Sequence, residues 1–153
     1  MNIEGRTIWQ VAVGNGNKNY ADQCLQENVI IIGPGHYGAW PDCREAMRKD
    51  GITSQRIGIV KRFAEELKLH DLVVLRVGTQ EVYGLGEIVG SYDWSNNYKN
   101  VDGWDLQHFR QIHWLWHQDG KPKRFDVHTL KFGSSVQYLI SPVVRRWLES
   151  LDS

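Results

Sequence analysis

The sequence predicts an α+β domain, built as a small mixed sheet curled towards a barrel and flanked by helices. Three observations point there. The elements run as one strand, then helices, then a series of strands and a closing helix. The strand segments alternate in hydrophobicity or form short apolar runs, whereas the helical segments repeat every three to four residues. Glycine-rich and Asp-Gly turns separate them at short intervals.

Thr7 to Val13 reads as a first strand with Trp9, Val11 and Val13 on one face. Residues 14–19 form a Gly/Asn-rich loop, and Tyr20 to Glu27 suits a short helix. Val29 to Ile32 is a short buried strand, followed by the glycine-rich segment Gly33 to Trp40. Pro41 to Lys49 suits a helix, with Pro in its first turn and Gly51 past its end. Ser54 to Leu67 is the clearest helix, its stripe being Ile57, Val60, Phe63, Ala64 and Leu67. Leu72 to Val77 and Glu81 to Tyr92 read as strands joined at Gly78-Thr79-Gln80. Asp93 to Asp105 is a polar loop carrying Trp94, Tyr98 and Trp104. Phe109 to His117 alternates as a strand, with Ile112, Trp114 and Trp116 on one face. Asp119-Gly120 signals a hairpin that returns through Arg124 to Leu130. Ser141-Pro142 opens a last helix with Val144, Trp147, Leu148 and Leu151 as its stripe.

The chain has 153 residues, about one domain, and we read 1–153 as a single unit that a longer protein could carry as one of its parts. The hydrophobic fraction of 41% and charged fraction of 24% are those of a globular chain. The longest apolar run, Val29 to Ile32, is too short for a bilayer, and the first residues hold no apolar signal core. Cys24 and Cys43 make no secreted framework and read as buried, inert thiols. A cytoplasmic protein is expected. Lys plus Arg and Asp plus Glu are both 18, so the overall basic balance of many nucleic-acid binders is missing.

No catalytic or metal motif is compelling. The glycine-rich loops lack the Gly-Lys-Ser/Thr ending of a P-loop. Pro41-Asp42 with Glu66-Leu67-Lys68 mimics a metal-nuclease pattern, but Glu66 and Lys68 close a helix as solvated residues. His113 and His117 lie about 13 Å apart on a strand, too far to share a metal. Asp71, Asp105 and His108 are the acid–base candidates that an enzyme would use. We therefore expect a binding domain, with no cofactor, rather than an enzyme.

The aromatic residues carry the functional signal. Seven Trp in 153 residues is a high count. Trp9, Trp114 and Trp147 fall on apolar faces and are read as core. Trp40, Trp94 and Trp104 fall in polar or glycine-rich loops, where an indole can form a flat wall for a planar ring.

The ordered segments Ile8–Val13, Gly38-Ala39-Trp40, Leu69-His70-Asp71, Val73–Val77, Gly84–Val89 and Ile112–Leu115 together resemble the EVE and YTH branch of the PUA-like superfamily. The likeness is nearest to modified-base-reading domains of prokaryotic modification-dependent (type IV) restriction systems. It departs from them in having His70-Asp71 where Gly-Asp is usual, and in the spacing from Gly86 to Trp94. The resemblance implies a compact barrel that takes a modified base, flipped from DNA, into an aromatic cage. Residue by residue it implies Trp40 as the first wall, Trp94 as the second and Trp104 as the third, with Tyr37 beside them. Asn15, Asn17 and Asp105 would bond the base edge. Lys18, Arg44 and Arg56 would hold phosphates, while Lys61 and Arg62 read equally well as a solvated helix face. The implied partners are modified double-stranded DNA, with methylated cytosine or adenine, and a nuclease or NTPase on another domain or subunit. Alternatives are an RNA modified-base reader, a protein-interaction module, and a domain binding a nucleotide or small molecule.

Overall fold

The computed structural model of the protein describes residues 1–14, 17–117, 121–131 and 133–152. Asn15, named above for the base edge, and the Asp119-Gly120 hairpin signal lie outside them.

The apolar runs become strands buried on both faces. Ile8–Ala12 (β1) pairs in parallel with Leu72–Val77 (β3), in the register Ile8↔Leu72 to Ala12↔Arg76. Glu81–Ile88 (β4) returns antiparallel to β3, after a turn at Gly78 with φ +62. His108–His117 (β6) lies beside β4, and Val29–Ile32 (β2) beside β6, both antiparallel. Val136–Tyr138 (β8) closes the other edge against β1. The order is β2-β6-β4-β3-β1-β8, with Asp93–Trp94 (β5) on β6 and Lys123–Arg124 (β7) on β4. The sheet is strongly curled into a half-barrel, so the domain is mixed α+β as the element order predicts.

Alternation along the strands divides the core. Trp9, Val11, Val73, Leu75, Ile88 and Ile112 face one side, with Phe63, Val60 and Met47 from the helices. Ile8, Leu72, Val74 and Leu85 face the other, with Val144 and Leu148. The first face is covered by Ala21–Glu27 (α1), Cys43–Lys49 (α2) and Ser54–Lys61 (α3). The second is covered by Pro142–Ser150 (α4). Caps explain the helix starts: Thr53 Oγ1 accepts from Arg56 N, and Ser141 Oγ accepts from Val144 N with Pro142 in the first turn. α3 continues into a π-helical turn, Arg62–Glu66. The buried Arg110 donates to Phe63 O and Leu67 O at 3.2 and 2.8 Å, supplying a cation to carbonyls at that end.

Three sequence expectations change. Trp116 does not share a face with Trp114. The register jumps from Gly86↔Trp114 to Leu85↔Trp116, so β6 carries one extra residue there. Such a bulge re-aims the side chains beyond it, and Trp116 packs edge-on to Trp147, 4.7 Å away, in the second core. The returning strand expected over Arg124 to Leu130 shrinks to β7, which pairs with Glu81 and Val82 of β4 rather than with β6. Beyond it, Phe125 N and Leu130 N bond the carbonyls of Gln80 and Thr79, so the chain wraps the β3–β4 turn instead of extending. The loop Asp93 to Asp105 also holds structure: β5 and a 3-10 turn, Asn96–Tyr98.

Gly86 permits the close β4–β6 approach. A Cβ there would lie 2.3 Å from Ile112 Cγ2 and 2.8 Å from Trp114 Cε3. Gly86→Ala is expected to cost about 1–3 kcal/mol as overpacking, read as a lower urea midpoint at unchanged slope.

Candidate binding pocket

β1 and β3 run in parallel and β2 runs the opposite way, yet in the curled sheet the segments leaving all three line one cavity of about 390 Å³. That volume falls within the range of small-ligand pockets. Its walls come from Ala12 and Gly14 after β1, Tyr20 at the start of α1, Ile32 to Pro34 after β2, Arg76 and Gly78 at the end of β3, Arg56 of α3, and the Trp104–Leu106 segment. Gly14 is obligatory: its φ is +115, and a Cβ would sit 2.4 Å from Lys18 O.

A two-residue turn places the indole. Val101 and Trp104 exchange backbone bonds of 2.8 and 3.0 Å around Asp102 and Gly103, which have φ +51 and +91. Positive φ at both central residues is the hairpin geometry that Asp-Gly favours. Trp104 then meets Tyr20 edge-on at 5.1 Å, and Lys18 Nζ stands 4.8 Å from the Trp104 ring while bonding Asp102 O.

The polar groups are of both signs. Arg76 is buried, with Nη1 donating to Gly78 O at 2.7 Å and Nη2 to Ser134 O at 3.2 Å. Burial pulls the Arg76 guanidinium below its usual range. Asp105 Oδ2 accepts from Gly35 N at 3.1 Å, from His36 N at 3.2 Å and from His36 Nδ1. Burial pushes the Asp105 carboxyl up, but the bonds from His36 and Gly35 outweigh it and hold the acid below its ordinary value. Burial also raises the Tyr20 phenol, so it stays protonated.

A second, more open groove of about 650 Å³ adjoins the first through Asp105. It holds Trp94, His36, Asn96, Lys99 and Gln107.

The residues named from sequence divide accordingly. Trp104, Asp105 and Arg56 line the main pocket, and Lys18 stands over Trp104. Trp94 lines the adjoining groove, its Nε1 donating to Gly35 O at 2.7 Å. Trp40 lies in the core at 9% exposure, its Nε1 donating to Glu65 Oε2 at 2.6 Å and its backbone N to Tyr92 Oη at 2.9 Å. Tyr37 bonds Asp50 and lies tilted against the His36 ring, centroids 4.0 Å apart. Arg44 lies over the Trp40 ring, 5.9 Å from its centroid. Asn17 is exposed and outside the pocket lining. The three loop indoles therefore do not converge as one cage. One indole, with Tyr20, walls the pocket.

Of the acid–base candidates, Asp71 Oδ2 accepts from Trp9 Nε1 at 2.9 Å and from Lys68 N at 3.0 Å. His108 is a fully buried strand residue rather than a loop residue. Both cysteines are free and buried, and burial raises both thiols, Cys24 to about 12. Sequence reasoning misses Arg76 and Tyr20. The signals that point to this pocket are a lone arginine inside the apolar run Leu72–Val77, and the Asp102-Gly103 pair immediately before Trp104.

Comparison with known proteins gives three likenesses. A family model described as a domain of unknown function, DUF8426, matches residues 9–137. A curated protein, beta-mannosidase B of Aspergillus clavatus, is 28% identical over 111 residues, which is 67% of this chain and 12% of that protein. The chain thus spans about one eighth of that relative's length. Over 97% of this chain and 96% of its own, a solved hypothetical protein from Leishmania major superposes with a TM-score of 0.53 at 13% identity, a likeness of fold.

Proposed function

We propose that this chain, which belongs to the DUF8426 family of domains of unknown function, binds a modified base of DNA, flipped from the duplex, in the pocket at the ends of β1, β2 and β3. The observation that carries the proposal is the pairing of an indole and a phenol with fixed polar groups of both signs in one cavity of base-accommodating size. A base inside a duplex is inaccessible, and flipping it costs a few kcal/mol. Stacking on an aromatic wall returns about 1–3 kcal/mol. Trp104 would supply that wall, and Arg56 and Lys18 would meet the flanking phosphates. Asp105, ionised and anchored, acts as a hydrogen-bond acceptor. The domain works without turning its ligand over and delivers a nuclease or NTPase carried by another domain or subunit, in the cytoplasm. Among the described residues no helix is long and apolar enough to cross a membrane.

Fluorescence anisotropy tests this with matched duplexes that are unmodified or carry 5-methylcytosine, 5-hydroxymethylcytosine or N6-methyladenine. One modified duplex should bind most tightly, and Trp104→Ala should weaken it about 5- to 100-fold. Equal binding to all four, unchanged by Trp104→Ala, would remove the proposal.

A second reading, a site for a free nucleotide or small molecule, draws support from the balanced charge of 18 against 18. Duplex affinity that falls steeply with salt argues for the polymer. Affinity confined to the free nucleoside argues for the small ligand.

A further inference from the structure

Arg76 is the charged residue of an otherwise apolar strand, and it is 3% exposed. A guanidinium offers five N–H donors. Two are spent on Gly78 O and Ser134 O, which fix the plane of the group. Nε has no partner, and among the described residues no carboxylate pairs with Arg76. A buried cation with unspent donors and no counter-charge is unfavourable unless something else satisfies it. Here the group lines a cavity, so a ligand can do so.

The same cavity presents the opposite requirement through Asp105. The bonds from Gly35 and His36 all fall on Oδ2. An ionised carboxylate can only accept. The pocket thus asks its ligand for acceptors at Arg76 and for a donor at Asp105.

Resting on the reading that the pocket takes a base, we infer that Arg76 and Asp105 make it selective for the cytosine edge over those of thymine and adenine. The cytosine edge sets an exocyclic amino group beside the acceptors N3 and O2. The amino group would donate to Asp105, and the acceptors would take N–H groups of Arg76. Thymine has the same outline as 5-methylcytosine, but it turns a carbonyl oxygen towards Asp105, acceptor against acceptor. N6-methyladenine keeps one amino N–H and offers Arg76 a single ring nitrogen. The discrimination is therefore by unpaired polar groups rather than by shape, the stronger of the two means.

The test is calorimetric titration with 5-methyl-2′-deoxycytidine and thymidine, alongside anisotropy with duplexes holding one 5-methylcytosine or one N6-methyladenine. The proteins are wild type, Asp105→Asn and Arg76→Lys, each checked for folding by thermal melting. Wild type should favour 5-methylcytosine over each competitor about tenfold or more. Asp105→Asn should bring the ratio near one, because an amide can donate as well as accept. Arg76→Lys keeps the charge but loses the fork, and should reduce the ratio too. A folded variant that keeps the wild-type preference would overturn the inference and leave the base-reading proposal standing. Preference among nucleosides that the variants lose, without duplex binding, would uphold the inference and remove the DNA reading. If neither variant folds, the wild-type ratio of 5-methyl-2′-deoxycytidine to thymidine decides alone, and a ratio near one overturns it.

Discussion

Trp9→Ala is expected to lower the free energy of unfolding by about 3–5 kcal/mol, the largest loss of stability expected from one substitution in this domain. Trp9 is 1% exposed, the second residue of β1. Its ring stacks on Tyr138 of β8 at 4.1 Å and 20°, and its Nε1 donates to Asp71 Oδ2 at 2.9 Å. One side chain thus joins the edge strand β8 to the turn that leads into β3. Truncation removes the buried area, leaves a cavity and strips a donor from a carboxylate, and these losses add. Melting should fall by on the order of 10 °C for a domain of this size. Trp9→Phe keeps most of the burial and should cost far less, mainly the hydrogen bond of about 1 kcal/mol. A Trp9→Ala protein that melts within a few degrees of wild type would show that β1 does not depend on this indole.

The second large effect concerns acid. His108 is fully buried in β6, and burial holds its imidazole down at about 4, against an ordinary 6.5. Its Nε2–H donates to Pro34 O at 3.1 Å, which leaves Nδ1 to accept from the Tyr92 hydroxyl at 2.6 Å. That hydroxyl in turn accepts from Trp40 N, and burial keeps the phenol up at about 12. Adding a proton at Nδ1 sets donor against donor inside the core. Between pH 6.5 and 4 the unfolded chain therefore binds more protons at this site than the folded one. The contribution is complete above pH 6.5 and is lost as pH falls towards 4, amounting to about 3 kcal/mol. Urea midpoints of wild type should decline over that window. In His108→Asn, less stable at neutral pH, the decline should be shallower by the same amount. Equal slopes in the two proteins would assign the acid sensitivity elsewhere.

Trp40 and Trp104 separate what can be read along the chain from what cannot. Both lie in polar or glycine-rich segments, and local composition treats them alike. Trp40 is drawn into the core by Glu65, 25 residues away, whose carboxylate accepts its indole N–H. Trp104 is turned to the pocket by Asp102-Gly103 and met there by Tyr20. The helix stripes and their caps are legible, because a stripe such as Val60, Phe63 and Leu67 needs only one face to bury. The bulge in β6 is not, since an extra residue is defined only against a partner strand.

From its order alone, this sequence determined an α+β domain with short buried strands, its helices, the core role of Trp9 and the packing of Trp114 and Trp147 against the core. Those features follow from local periodicity, which each segment carries within itself. The tertiary structure alone decided the parallel pairing of β1 with β3, the one-indole pocket and the place of Arg76 in its lining. These depend on groups dozens of residues apart in the chain, and only the curl of the sheet brings Arg76, Trp104 and Asp105 to one cavity.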